Sequence, residues 1–335
     1  MYVEVESLKH KKNYKIKRMS EFDIETSLDI PADHFNIVIE NPVGADGKGM
    51  NTGIFTFNDI FTIKENDKVI LDGISDDVDE SWDENSNRIE IDGRDKSLLL
   101  LENDAVPQTY KKIKFSTLLK KIAQPYGFNN FKVNSKFDKT LDKVVVDVGM
   151  SEWDVVSQQA KKCGMWLWCT QDSTIIADVL NYKEDAIYTF TNDMSIKNAI
   201  RVKRFSKRKR GADVKSEVWI RGQGKKKSFT SKYLDKVLSS WGIKRRMILE
   251  NGEAKKLSHG QSVAKRNVEE RKRGTLEIEI TINGKYDIQT NKTAWVKDSV
   301  TDTNETFFIV GIRHKKNNNE GNVKIIRLRP LWEGL

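Results

Sequence analysis

Cysteine, proline and long apolar runs are all scarce in this sequence of 335 residues. The two cysteines, Cys163 and Cys169, cannot form the disulfide framework that stabilises small secreted domains. Five prolines exclude a proline-rich linker protein. No run approaches the length of apolar chain that crosses a bilayer, so we expect no membrane partner. The N-terminus lacks the apolar core of a signal peptide, which predicts assembly in the cytoplasm.

Motifs for catalysis and ligand binding are missing as well. The four histidines are scattered, and neither cysteine has a partner at the spacing of a zinc site. The segment DENSNR at 83–88 begins like a calcium loop, but Arg88 stands where that loop needs glycine. GQGKKK at 222–227 is not a dinucleotide fingerprint. The possibility that two carboxylates cleave a glycan stays open, because the distance between such residues depends on the three-dimensional structure. The sequence therefore predicts no catalytic, cofactor-binding or metal-binding residues, and no enzyme.

Positive charge is abundant in one segment. The chain carries a net charge of +9, yet residues 201–273 contain 24 Lys and Arg against 7 Asp and Glu. That segment alone has a net charge of +17, which leaves −8 for the rest of the chain. Basic clusters attract acidic proteins and nucleic acids. Three interpretations stay open for 201–228, its most basic part: a solvated hairpin, a surface for an acidic protein partner, and a nucleic-acid site.

Hydrophobic periodicity divides the chain into three predicted domains. Residues 1–106 alternate apolar and polar residues in short runs, which indicates a first β-barrel-like domain. Within it the acidic cluster from Asp72 to Glu84 is interpreted as a solvated turn region, and the four leucines after GRDKS as a short buried helical turn.

Residues 107–182 show helical spacing and predict an α/β domain. Its first helix begins at Phe115, ends before Gly127 and places apolar residues on one face. KVVVDV at 143–148 is predicted as a buried strand. Its second helix starts at Ser151, which has Asp154 three residues on, and stops at Gly164. The pattern Ala-x-x-x-Gly is repeated at the ends of both helices, which indicates two successive helix–strand units.

Residues 183–335 return to β-patterning and predict a second β-barrel-like domain. One helix at about 258–273 interrupts it, with Ser258 and Gln261 as a capping-box pair and Gly274 as its stop. Its apolar stripe is thin, so we expect the helix to lie exposed on the side of a barrel. The predicted class is therefore α+β and mainly β, with two small β-barrel domains around an α/β domain.

The order of these pieces resembles a known family. The segments that carry the likeness are GRDKSLLLLENDAV at 93–106, MSEWDVVSQQAKKCGMWLWC at 150–169, SVAKRNVEERKR at 262–273 and FFIVGIRHKKNNNEGNVKIIRLRP at 307–330. The sequence resembles the baseplate hub proteins of contractile phage tails, of the late control gene D type. Relatives occur in phage-like bacteriocins and in the first part of type VI secretion spike proteins.

The resemblance implies a structural role in the baseplate of a virion or tail particle. Hubs of this family are homotrimers whose paired β-barrels adapt a sixfold tail tube to a threefold central spike. The implied partners are the spike, the tube protein or tube initiator, and the tape-measure protein, with DNA passing through the lumen. The family offers no catalytic residues. The alternatives are a nucleic-acid-binding protein that uses residues 201–273 and a tail-associated cell-wall hydrolase.

Overall fold

The computed structural model describes residues 1–41, 53–179, 185–223, 227–251, 256–273 and 275–331. These residues belong to two compact units. The first contains Met1–Asn181, Asn283–Asn291 and Val310–Ile325, and the second contains Tyr182–Ile282, Lys292–Ile309 and Ile326–Leu335. The chain therefore leaves the first unit and returns to it twice. The division into three domains at 106 and 182 stays a prediction.

An antiparallel sheet forms the first part of the first unit. Its strands are β1 (Tyr2–Ser7), β2 (Lys12–Ile16), β3 (Glu21–Ser27), β4 (His34–Glu40), β5 (Ile60–Glu65), β6 (Lys68–Trp82) and β7 (Asn87–Asp95). They pair in the order β3–β4–β7–β6–β5–β1–β2. Alternate residues of β1, β3 and β7 are buried, as the apolar alternation predicts. The resulting core contains Val3, Val5, Phe22, Ile24, Phe35, Ile37, Phe61, Ile63, Leu71, Ile89 and Ile91.

Gly93 allows close packing of β7 against its neighbouring strands. It lies on β7, opposite Phe35 of β4 and Ser75 of β6. A Cβ placed on Gly93 would come within 3.0 Å of the Phe35 ring and of the Ile74 carbonyl oxygen. Both neighbours are held in place, since Phe35 is fully buried and the carbonyl belongs to a paired strand. Glycine at this position is therefore a packing requirement.

The acidic stretch in this sheet corrects one prediction. Residues up to Trp82 continue β6 as a strand, whereas the sequence indicated a turn region from Asp72 to Glu84. Two of its carboxylates form cross-strand ion pairs: Asp76 accepts from Arg94 at 2.7 Å, and Asp72 accepts from Lys96 at 2.6 Å. Opposite charges on neighbouring strands stabilise a ladder even where the residues have low strand propensity.

The second part of the first unit is an α/β region. Its elements are α1 (Leu98–Glu102), β8 (Gln108–Lys114), α2 (Phe115–Ala123), β9 (Phe131–Val133), β10 (Thr140–Val146), α3 (Glu152–Cys163), β11 (Trp166–Cys169) and β12 (Ile175–Asp178). Leu98 and Leu100 of α1 are buried, as expected for the leucine run. Strand β10 pairs with β8, and a second sheet has the order β11–β12–β9. The strand predicted at 143–148 is buried only on alternate residues, because Val145 is exposed and Val148 lies beyond the strand.

Helix α3 forms as its local sequence predicts. The Ser151 hydroxyl accepts from the Asp154 amide, and the Asp154 carboxylate accepts from the Ser151 amide. Gly164 ends the helix with a φ of +88°, a conformation that glycine adopts without strain. Trp153, Val156, Ala160 and Cys163 are buried against α2 and the sheet. Gly127 takes the same left-handed conformation before β9, so the two predicted helix–strand units are present.

The second unit is also built mainly from strands. Its elements are β13 (Tyr188–Thr191), β14 (Ile200–Arg201), β15 (Arg204–Lys209), β16 (Glu217–Gln223), β17 (Ser228–Leu234), α4 (Lys236–Ser240), β18 (Arg246–Asn251), α5 (Leu257–Arg273), β19 (Leu276–Asn283) and β20 (Thr293–Asp298). Two further strands, β21 (Thr303–Asn317) and β22 (Gly321–Pro330), contribute residues to both units.

Strand pairing confirms the mainly β α+β class. In the second unit β13 pairs with β14 and β20, while β19 lies between β15 and β22. In the first unit the carboxyl-terminal half of β21 pairs with β3. Among the described strands the sheet of the first unit runs from β21 to β2, and these two strands do not pair with each other to close a barrel.

A separate layer within the second unit corrects the expectation for the long helix. Strands β17–β16–β18 form a three-stranded sheet, and α5 packs on one side of it. Ala264 and Val268 are fully buried there, so the helix is not exposed on every side. Strands β17 and β18, which the sequence pattern did not indicate, supply the second apolar layer. The helix also begins at Leu257, which places Ser258 in the first turn instead of at the N-cap. Gly274, its predicted stop, lies outside the described residues.

Candidate interaction surface

The basic segment is divided between two places in the second unit. Strand β15 carries its first part and pairs antiparallel with β19. Arg208 lies opposite Glu277, and the Arg210 guanidinium is 3.8 Å from the Glu277 carboxylate. Part of the positive charge is therefore compensated by acidic residues of the neighbouring strand. The remainder of the segment forms the three-stranded sheet and α5, so it is more than the solvated hairpin that one interpretation offered.

The side of the three-stranded sheet that faces away from α5 is called the outer face here. Strand alternation places Val218 and Ile220 toward the helix, and both are fully buried. The opposite set of side chains is therefore on the outer face, and several of its members are exposed. Its residues are Glu217, Trp219, Arg221, Thr230, Lys232, Leu234, Arg246, Ile248 and Glu250.

Trp219 is the centre of the outer face. The Lys232 ammonium lies 3.9 Å from the ring centroid, and the Arg246 guanidinium carbon lies 4.2 Å from it. These cations come from β17 and β18, which flank β16 on opposite sides. Contacts of this kind are attractive because the aromatic face is electron-rich. The ring is already occupied by two cations of its own sheet, so it offers poor access for a stacked base.

Glu217 fixes this arrangement. Its carboxylate accepts hydrogen bonds from the Trp219 indole at 2.5 Å and from the Arg246 guanidinium at 2.7 Å. Donation by Arg246, and next by Trp219, lowers the pKa of Glu217. The carboxylate is consequently charged at neutral pH. The outer face thus presents ordered cations around a tryptophan, an arrangement that suits recognition of carboxylate groups.

Other residues that the sequence singled out, namely Asp83, Cys163 and Cys169, belong to the first unit. Asp83, which begins the calcium-like segment, accepts from the Asn85 and Ser86 amides and caps the turn between β6 and β7. Cys163 is buried in the α/β core, and burial raises the pKa of its thiol. Burial raises the pKa of Cys169 further, with Asp95 adding to the effect. Within the described ranges no three His, Cys, Asp or Glu side chains are grouped as metal ligands.

A buried pair of carboxylates is a feature that the sequence did not indicate. Asp33 is 7% exposed and Asp95 is 3% exposed. The Asp33 amide donates to the Asp95 carboxylate at 3.1 Å, and the Ser27 amide donates to the Asp33 carboxylate at 2.7 Å. Burial raises the pKa of Asp95 to about 6. Burial, together with the neighbouring charge of Asp95, raises the pKa of Asp33 well above its ordinary value.

This pair predicts a stability that declines as pH rises. At Asp33 and Asp95 the folded state binds more protons than the unfolded state between pH of about 4 and above 6, so the contribution of this pair to the free energy of unfolding falls across that range. Asp33→Asn removes the buried charge and keeps the acceptor for the Ser27 amide. We expect it to raise the free energy of unfolding by about 1–3 kcal/mol at alkaline pH and by less at acidic pH.

Urea unfolding at a series of pH values measures this effect. Asp77→Asn is the control, since Asp77 is exposed on β6 and its removal changes the net charge equally. A variant Asp33→Asn that is less stable than the wild type at alkaline pH contradicts the prediction.

No described helix is both long enough and apolar enough to span a membrane.

No protein-family model matches the sequence, and no curated protein matches it either. Solved structures do match. A tail protein from Neisseria meningitidis MC58 is 19% identical with a TM-score of 0.83, over 98% of this chain and 96% of that chain.

Two further structures extend the likeness. The 43 kDa tail protein of prophage MuSo2 from Shewanella oneidensis is 16% identical with a TM-score of 0.81, over 98% of both chains. A component of the type VI secretion system of Escherichia coli is 9% identical with a TM-score of 0.58, over 93% of this chain and 73% of that chain. The chain therefore has the fold of phage tail proteins over nearly its whole length, as its resemblance to baseplate hubs implied.

Proposed function

We propose that this chain is a structural hub in the baseplate of a contractile phage tail or phage-like bacteriocin. One observation carries the proposal: tail proteins share its fold over 98% of the chain. The described parts of the chain offer no metal-ligand cluster that would favour catalysis instead. The role is therefore to hold other tail components in place, and the site of action is the tail particle.

The proposed assembly is a homotrimeric ring. Each copy contributes two β-rich units, so three copies present six similar contacts to the tail tube and three to the central spike. Unpaired strand edges favour such closure, because an edge is stable only when it is covered or paired. In the first unit β2 is an edge, since the described residues give it β1 alone as a neighbour. Tube initiator, spike and tape-measure protein are the proposed neighbours, and DNA passes through the opening.

Counting copies in purified tails tests this proposal. Native mass spectrometry of baseplates, combined with symmetry analysis of their images, is expected to give three copies around an open channel. Six copies per tail would remove the adapter role. A clear zone in a peptidoglycan zymogram of the purified chain would instead favour the hydrolase alternative.

The basic segment motivates a second test. Because Trp219 is covered by two cations, we expect duplex DNA to bind through charge alone, with an affinity weaker than about 1 µM at physiological salt and a steep salt dependence. Fluorescence anisotropy over a salt series measures this, with Arg221→Gln and Lys232→Gln expected to lower the salt slope. Binding tighter than about 1 µM at physiological salt would favour the nucleic-acid function.

A further inference from the structure

The first unit contains a cavity that the proposed role leaves unexplained. Its volume is about 590 Å³, within the usual range for sites that hold a small molecule or a side chain. Its walls come from β3 and the loop after it, from the β5–β6 turn, from the β11–β12 turn and from residues 287–290, 312, 314 and 324. All of these segments belong to the same compact unit. The β-sheet and the α/β region therefore form the cavity together.

Acidic groups outnumber basic groups around this cavity. Four carboxylates and two ammonium groups line it. Lys68 pairs with Asp287 at 3.1 Å, and Lys324 pairs with Glu65 at 3.4 Å. His314 adds no charge at neutral pH, because burial, with Lys324 nearby, lowers its pKa. The two remaining carboxylates, Asp33 and Asp172, have no cationic partner among the described residues.

Asp33 is the carboxylate that most needs a ligand. It is 7% exposed, and only the Ser27 amide donates to its side chain within the described part of the chain. Asp33 lines the cavity, and its second carboxyl oxygen has no donor among the described residues. A buried carboxyl group without a cation favours its neutral form, which is why the pKa of Asp33 is raised, and a cation placed against it favours the charged form.

The rest of the wall suits an organic cation. Trp168 lines the cavity and is 8% exposed, and tryptophan is the aromatic side chain that attracts cations most strongly. Apolar side chains, among them Ile24, Ile288 and Ile312, line the same space. They suit the methylene chain that carries the charged group of lysine, arginine or an alkylamine.

We propose that this cavity binds an ammonium or guanidinium group carried on an aliphatic chain, with the charge against Asp33 and the chain along the apolar wall. The group comes from a lysine or arginine side chain of a partner protein, or from a free polyamine. The proposal stands on the cavity of the first unit and is independent of the number of copies in the tail.

Isothermal titration calorimetry with the full chain tests the site. The probes are N-acetyl-lysine methylamide, N-acetyl-arginine methylamide and spermidine, each titrated at neutral pH and low salt. We expect saturable binding of at least one probe. Binding of the capped amino acids identifies a protein side chain as the source, and binding of spermidine alone identifies a free polyamine.

Three variants determine whether the binding occurs at this site. Asp33→Asn is expected to weaken binding by about tenfold or more, and Trp168→Leu to weaken it to a smaller degree. Asp77→Asn makes the same change in net charge outside the cavity and is expected to leave the affinity unchanged. Thermal melting checks that each variant is folded. Absence of saturable binding for all three probes, or equal affinity in Asp33→Asn and wild type, overturns the proposal.

Discussion

Replacing Gly93 by alanine is expected to lower the free energy of unfolding by about 3 kcal/mol or more. The added methyl group would overlap the Phe35 ring and the Ile74 carbonyl oxygen, both within 3.0 Å of it. Phe35 cannot move aside, because it is fully buried among the side chains of the first sheet. The Ile74 carbonyl cannot move without breaking the pairing of β6 with β7. Relief therefore requires a shift of the backbone.

Urea unfolding followed by circular dichroism measures the cost. Gly211→Ala is the matched control, since a Cβ at Gly211 meets no heavy atom within 4 Å. We expect that control to change the free energy of unfolding by less than about 0.5 kcal/mol. A cost below about 1 kcal/mol for Gly93→Ala would mean that β4 and β7 have more room between them than the structure gives.

Trp153→Ala is expected to destabilise the α/β region by about 3–5 kcal/mol. Trp153 lies on the buried face of α3 and is 6% exposed. Its removal leaves a large cavity between α3 and the rest of the core, and the surrounding side chains can fill only part of it. The expected loss is a considerable fraction of the total stability of a domain.

Thermal and urea unfolding give the size of this effect. Trp82→Ala provides the matched control, because Trp82 is 78% exposed at the end of β6. The same truncation there is expected to cost less than about 0.5 kcal/mol. Similar costs for the two tryptophans would show that the buried face of α3 has been assigned to the wrong residues.

Short-range signals explain which elements the sequence could predict. Ser151, Asp154 and Gly164 act within one helix, so they predict α3 without reference to the rest of the chain. The alternation of apolar and polar residues in β1 and β3 is also a local signal, and it predicts that one face of each strand is buried. The leucine run after GRDKS likewise predicts α1, because its two buried residues, Leu98 and Leu100, lie within one short segment of the chain.

Long-range partners explain what the sequence did not predict. Strands β17 and β18 carry many polar and basic residues, and they are strands because β16 lies between them. The acidic half of β6 depends in the same way on Arg94 and Lys96 of the following segment. The cavity near Asp33 is assembled from segments separated by as many as 300 positions, from Ile24 on β3 to Lys324 on β22. Residues that meet only after folding leave no local pattern.

The chain enters and leaves the sheet and helix of the outer face at neighbouring positions of the second unit. Lys209 on β15 pairs with Leu276 on β19, and the Arg210 amide donates to the Thr275 carbonyl oxygen at 2.6 Å. The chain therefore leaves and re-enters at adjacent residues of one antiparallel ladder, where a turn of about two residues could close the gap. Residues 211–273 are in this sense a cassette. Exchange, enlargement or deletion of such a cassette would leave the register of β15 and β19 unchanged, so the outer face can change while the rest of the second unit keeps its structure.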